Sequence, residues 1–213
     1  MSKLYFVLLI SFFSLYSYAQ NIFSLEEKEL LSFRFLSEKR YKEAIEECEK
    51  EIKEGNFIDS YINLSASYLA LEDYHNAYIS CQRGRKVPQQ QYNPRLLEIQ
   101  AISCYNLGRN IEGLNLLQAY LSNSSQERDV SEIYYYIGEI YLRLSQYHHA
   151  DIALTAALSI RPFEVSWWVR LGYVREKAKS YKYSLEAYEK ALSFDKNNSD
   201  AIAGKSRVRT FLR

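Results

Sequence analysis

His148 and His149 stand side by side, and Asp151 follows two residues later. Imidazole and carboxylate are both metal ligands, so this run could anchor an ion and support hydrolytic chemistry. The spacing argues against it. Adjacent residues on a helix point about 100° apart, whereas helical metal pairs use an i, i+4 spacing. The third histidine, His75, lies far back in the chain. Cys48, Cys81 and Cys104 form no CxxC pair, and an odd number of cysteines cannot all pair internally. Free cysteine is a common small core residue, and we expect that role for all three. Glu46, Glu47 and Glu49 read as a solvated helix face. No glycine-rich phosphate loop, GxSxG elbow or HExxH run occurs. The sequence therefore assigns no catalytic residue, no metal ligand and no cofactor, and the chain reads as a non-enzyme.

The elements carrying these residues are legible from composition. Seven Gly and three Pro in 213 residues are too few for a sandwich or barrel of tight turns. Abundant Leu, Ala, Glu, Lys and Tyr favours an all-helical chain. With 47% hydrophobic and 25% charged residues the composition is that of a globular protein. Residues 1–19 differ from the rest. Lys3 is followed by an uncharged, mostly apolar run from Leu4 to Tyr16, then Ser17-Tyr18-Ala19. This is the layout of a secretory signal peptide cleaved after Ala19, with an uncleaved anchor as the alternative. The expected location is the periplasm or the exterior, with no membrane insertion after cleavage. Loss of Lys3 would leave 26 basic against 26 acidic residues. A neutral chain has no general electrostatic pull on nucleic acid or anionic lipid.

The 20 tyrosines are not scattered at random. Tyr41, Tyr74, Tyr147 and Tyr181 each open a segment with a small residue three positions on: Ala44, Ala77, Ala150 and Ser184. Four further come Cys48, Cys81, Leu154 and Tyr188. Asn110, Gly113 and Leu117 fill the same slots in an intervening copy, so successive copies are 33, 36, 37 and 34 residues apart. Steps of three and four trace one face of an α-helix. A second set of helices precedes these, sharing a small slot at Ser32, Ser65, Ala101, Gly138 and Gly172. Small residues on both partners let two helices approach closely. The unit is a helix–turn–helix of about 34 residues, present five times. Ser24–Glu27 reads as a capping box for the first helix, and Asn93-Pro94 as an N-cap with a first-turn proline. Glu51, Gln100, Asn110 and Arg175 depart from the pattern, holding polar groups in slots that are otherwise apolar, small or aromatic.

These copies resemble the tetratricopeptide repeat family. The segment from Glu132 to Pro162 carries its large–Gly pair as Ile137-Gly138, its aromatic as Tyr141, its small residues as Ala150 and Ala157 and its closing proline as Pro162. A following copy has Trp168, Leu171-Gly172, Tyr181 and Ala191. The resemblance implies an all-α fold, a right-handed superhelix (α-solenoid) of antiparallel helix pairs. After the leader (1–19), the repeats fall at about 25–57, 58–93, 94–130, 131–164 and 165–198, closed by a capping helix over 199–213. It also implies a concave groove lined by the first helices. Its slots are Glu29 and Phe33, then Ile62, Asn63 and Ala66, then Glu98, Ile102 and Tyr105. The last two repeats add Tyr135, Tyr136, Glu139 and Arg143, then Val169, Arg170, Tyr173 and Glu176.

The partner-binding residues we expect are Tyr105, Tyr135, Tyr136, Glu139, Arg143, Val169, Arg170 and Tyr173. Tyrosine offers apolar area and a hydroxyl at low entropy cost. Some of these rings could instead fill gaps between repeats. Family members that clamp a carboxylate terminus do so with Lys, Asn and Arg over three repeats. Only Asn63 stands at a matching slot here, with Glu29 and Ile99 at cationic positions, so that role is not carried over. The expected function is a non-catalytic protein–protein interaction module of the cell envelope that binds a polypeptide in its Tyr-rich groove. The alternative is a scaffold subunit of an envelope or secretion assembly, bound through its convex face or ends.

Overall fold

The computed structural model describes residues 30–55, 57–123 and 130–213. The expected leader, the Ser24–Glu27 capping box and Glu29 lie outside the described residues. Those residues form eleven α-helices and no strand. They pair as α1 (Leu31–Ser37) with α2 (Tyr41–Gly55), and α3 (Ile58–Ala70) with α4 (Tyr74–Gly84). Then come α5 (Pro94–Asn106) with α6 (Asn110–Asn123), and α7 (Ser131–Arg143) with α8 (Tyr147–Ile160). The last pair is α9 (Val165–Lys177) with α10 (Tyr181–Phe194), followed by α11 (Ser199–Arg209). Each helix packs on the next, and α1 with α3, α3 with α5, α5 with α7 and α9 with α11 also touch. The result is the α-solenoid that the repeats imply.

Local chemistry sets the helix ends. The Asn93 side chain accepts from the backbone N–H of Arg95 and Leu96, at 3.1 and 3.3 Å, with Pro94 in the first turn. Asp73 caps α4 through the Asn76 N–H, and Asn198 caps α11 through the Ala201 N–H. The turn inside every repeat is built alike. A residue two positions before each helix-opening Tyr or Asn takes a left-handed conformation: Lys39, Glu72, Gly108, Ser145 and Lys179, with φ between 58° and 74°. The next residue's N–H reaches back five positions, as from Gln146 to the Tyr141 carbonyl at 2.8 Å and from Ser180 to the Arg175 carbonyl at 2.8 Å. This is a Schellman termination, which needs that left-handed residue. Only Gly108 adopts it without a Cβ penalty.

Packing follows the small slots. Ser32, Ser65 and Ala101 are buried, as are Gly138 and Gly172. A Cβ at Gly138 would sit 2.7 Å from Leu154 Cγ, and one at Gly172 would sit 2.8 Å from Tyr188 Cδ1. The second-helix ladder is equally enclosed, with Ala44, Ala77, Ala150, Leu154, Ala157 and Ala191 all fully buried. One apolar cluster runs unbroken from Tyr78 on α4 to Ala153 on α8. A second joins α8 and α9, and a third seats α11 on Tyr188 and Ala191.

Polar residues in core slots each meet a different fate. Glu51 is buried, and its carboxylate accepts from the Ser32 N–H at 3.0 Å, the Ser32 hydroxyl at 2.7 Å and the Ser60 hydroxyl at 2.7 Å. The amide of Asn63 donates to Ser32 Oγ at 3.0 Å, so this network ties the first repeat to the second. Gln100 is buried and accepts from Arg85 at 2.7 Å. Arg175 crosses to the α8 carboxylate of Asp151 at 3.0 Å. Asn110 Oδ1 is buried with no partner among the described residues.

Cys48, Cys81 and Cys104 are free and fully buried, in ladder or aromatic slots. Burial disfavours the thiolate, and each thiol is pushed up to about 12.

Three outcomes follow from this architecture. Gly138→Ala should destabilise by about 1–2 kcal/mol in urea unfolding, because overpacking against Leu154 outweighs the helix-propensity gain. Lys179→Gly should be neutral or stabilising by up to about 1 kcal/mol, whereas Gly108→Ala should cost about 1 kcal/mol by forcing a Cβ into the left-handed turn. Raised folded-state pKa values keep the thiols protonated well above pH 8, so a thiol-reactive chromophore at that pH should stay silent on native protein and report all three cysteines after denaturation.

Candidate partner-binding groove

The groove residues come from α5, α7 and α9, the first helices of the third to fifth repeats. Tyr135 and Tyr136 lie in the middle of α7, three and two residues before the close-approach glycine, and their rings project between neighbouring first helices. Tyr136 meets Tyr105 edge-on at 5.5 Å between centroids, and Tyr135 at 5.7 Å. Tyr135 also stacks on Trp167 of α9 at 5.0 Å with a 15° tilt between planes. The three tyrosines are half-buried. Burial pushes the Tyr135 hydroxyl up to about 12 and raises those of Tyr105 and Tyr136.

Glu139 lies at the centre of this wedge and is 2% exposed. Its two carboxylate oxygens accept from Arg170 Nε at 2.5 Å and Nη2 at 2.6 Å, a bidentate pair across α7 and α9. The Tyr105 hydroxyl donates to the same carboxylate at 3.1 Å, bringing in α5. These hydrogen bonds with Glu139 raise the Arg170 guanidinium above its ordinary value. A buried carboxylate left without its cation would be strongly destabilising. Arg170 is therefore held by the fold and is not free for a partner.

Arg143 and Tyr173 present themselves differently. Arg143 is exposed at the end of α7, lies over the Tyr105 ring at 3.4 Å from its centroid and donates to the Tyr105 carbonyl. Tyr173 is half-buried and belongs to no apolar cluster among the described residues. Arg170 and Lys177 sit over its ring at 5.7 and 5.2 Å. Val169 does not join the tyrosines; it packs toward the cluster of Tyr188, Ala191, Ala201 and Val208.

The structure thus brings together Tyr105, Tyr135, Tyr136, Glu139, Arg143 and Arg170, and reaches Tyr173 through Arg170. Trp167 lies buried beneath this surface and Lys177 stands exposed on it, and neither was among the expected residues. Lys177 shares the slot of Arg143, so aligning the copies could have found it. Trp167 carries no such signal, because its neighbour Trp168 fits the family slot better. Trp168 instead donates to the Pro162 carbonyl at 2.8 Å.

The histidines lie elsewhere. His148 and His149 are exposed at the start of α8, and His149 rests 5.0 Å from the Tyr141 ring. Asp151 is taken by Arg175 and by the Thr155 hydroxyl at 3.1 Å. Among the described residues no three His, Cys, Asp or Glu side chains group as metal ligands. No helix of the described residues is long and apolar enough to cross a membrane.

Comparison with known proteins places this geometry. Residues 131–164 match the family model described as tetratricopeptide repeat. A tetratricopeptide repeat domain-containing protein of Arabidopsis thaliana, PYG7 of the chloroplast, is 30% identical over 100 residues. That match takes in 45% of this chain and a third of the plant protein. MamA from Desulfovibrio magneticus RS-1 superposes with a TM-score of 0.70 at 17% identity, over 79% of this chain and 93% of the other. YrrB, described as a TPR protein with an unusual peptide-binding site, superposes with a TM-score of 0.67 at 13% identity, over 78% and 83%. These two likenesses concern the fold. Residues 131–164 are thus one tetratricopeptide repeat, set in a stack of five helix pairs that shares the fold of tetratricopeptide repeat proteins.

Proposed function

We propose that this protein is a non-catalytic binding module whose groove, between α5 and α9, engages an extended polypeptide partner. Stacked tetratricopeptide repeats are protein–protein interaction scaffolds, and that coarse role comes with the fold. The finer reading rests on one observation: aromatic rings and fixed cations from three successive repeats converge on one surface. Tyr105, Tyr136 and Tyr173 are half-exposed there on a frame already locked by Glu139 and Arg170. A preorganised aromatic surface loses little entropy on binding. The peptide site named for YrrB offers a parallel on the same fold. The sequence of residues 1–19 supports export, and we place the protein in the periplasm or outside the cell.

A second reading, a scaffold bound through its convex face, draws on exposed isoleucines of the second helices. Ile111 is 60% exposed and Ile152 71% exposed. Recovery of native partners from the envelope separates the two. Tyr136→Ala with Tyr173→Ala should weaken partner binding by about 1–3 kcal/mol, while Ile152→Asp should leave it unchanged. Circular dichroism of each variant establishes that the fold persists. Loss of the partner with Ile152→Asp alone would favour the convex face.

A further inference from the structure

The carboxylates along α7 and α9 are engaged within the molecule. Glu132 pairs with Arg161 at 2.9 Å, and Glu139 is enclosed by Arg170 and Tyr105. Glu176 accepts from Arg207 at 3.0 Å and from the Tyr188 hydroxyl at 2.9 Å. Burial pushes the Glu176 carboxyl up, but Arg207 and Tyr188 together outweigh it and hold it below its ordinary range.

The cations are not balanced in the same way. Arg143 and Lys177 each lie five residues beyond the close-approach glycine of their helix, so they occupy one slot in neighbouring repeats. Both are exposed, and neither forms an ion pair among the described residues. Glu164 stands just before α9, at the opposite end of that helix from Lys177. Each cation lies over a tyrosine instead, Arg143 over Tyr105 at 3.4 Å and Lys177 over Tyr173 at 5.2 Å. A ring face positions a cation without neutralising it. Two fixed positive charges therefore stand along the edge of an aromatic surface, where they attract anionic groups.

We propose that the groove selects an acidic segment of its partner, with one carboxylate on Arg143 and another on Lys177. This rests on the groove reading above and names its chemistry. α7 and α9 meet through side chains, the Tyr135–Trp167 stack and the Glu139–Arg170 pair, which puts them at the upper end of the roughly 8–10 Å between packed helices, and an extended chain advances about 3.3 Å per residue. The two carboxylates should then stand about three residues apart. Arg143 commits a donor to the Tyr105 carbonyl, which leaves the rest of the guanidinium fork for a carboxylate. An apolar or aromatic side chain between the two acids would pack on Tyr173. Nucleic acid is the other polyanion to consider, and the near-balance of 27 basic and 26 acidic residues gives it no broad basic surface.

Selection of random dodecapeptides displayed on phage, against the purified protein, tests this. The expected binders carry Asp or Glu at positions three apart. Their affinity should fall about tenfold or more in Arg143→Glu with Lys177→Glu, and should also fall with rising salt. Selection against that reversed variant should return Lys or Arg at the same positions. Binders lost in Tyr173→Ala but free of acidic residues, or indifferent to charge reversal, would overturn the acidic preference and leave the groove standing. Failure to recover binders, or binders untouched by Tyr173→Ala and by charge reversal alike, would sink both. A random single-stranded oligonucleotide that binds as tightly as the peptides would overturn the choice of a polypeptide acid.

Discussion

Each repeat depends on the approach of two helices at a point where one contributes almost no side chain. Gly138 admits Leu154, and Gly172 admits Tyr188, at distances that a methyl group would close. Helices of 7 to 15 residues are too short to hold themselves in water. Their stability comes from burying a stripe against a neighbour, and the small slot sets how much of that stripe is covered. Because each helix touches its own partner and the next repeat, the core extends along the stack and has no single centre. The first helices are then left side by side, and the groove is their shared outer surface.

That surface is not independent of the stack. Between α7 and α9 the bridging contacts are made by side chains: Tyr135 on Trp167, and Glu139 to Arg170. A buried ion pair adds little net stability compared with apolar packing. What it adds is position, because a bidentate guanidinium–carboxylate contact fixes both distance and orientation. The Tyr105 hydroxyl on the same carboxylate extends that constraint to a third repeat. The Glu51 network with Ser32, Ser60 and Asn63 does the same for the first two repeats. Glu51, Gln100 and Arg175 are thus satisfied across repeat boundaries, and this is how the chain tolerates most departures from its own pattern, Asn110 being the exception.

The helices were legible because their core slots recur. Tyr41, Tyr74, Asn110, Tyr147 and Tyr181 fixed the register of the second helices, and Ser32 through Gly172 that of the first. The turns were less legible. Lys39, Glu72, Ser145 and Lys179 take the left-handed conformation without being glycine, so only Gly108 announces it. The Schellman bonds impose that conformation, and a sequence displays the donors and acceptors of such bonds nowhere. Contacts across repeats were also hidden. Arg83 to Glu49, Tyr78 to Glu112 and Tyr105 to Glu139 each span 34 residues. That separation is one repeat length, so it was implicit in the register; which side chains would meet depends on superhelical rotation, which the register alone does not set. Val169 went the other way for the same reason, turning from the tyrosines to the capping helix.

The division between core and groove slots explains where information about a partner can reside. A core slot accepts a small residue or a large one to match what faces it, as Leu154 matches Gly138, and changes there propagate to neighbouring repeats. A groove slot is constrained chiefly by what lies beside it, and most of these slots face solvent on one side, with Glu139 the buried exception. The slot one past each close-approach residue holds Phe33, Ala66, Ile102, Glu139 and Tyr173 in turn. Such variation in one geometrical position, on a frame that repeats, lets a solenoid present a different chemistry at each step along its length. Tyr173 is one step in that series, and Tyr105 and Arg143 occupy groove slots four and five past the close-approach residue of their own helices. The adjacent pair His148 and His149 occupies second-helix slots outside it, which is why two residues with the most reactive side chains in the segment end on a solvated surface.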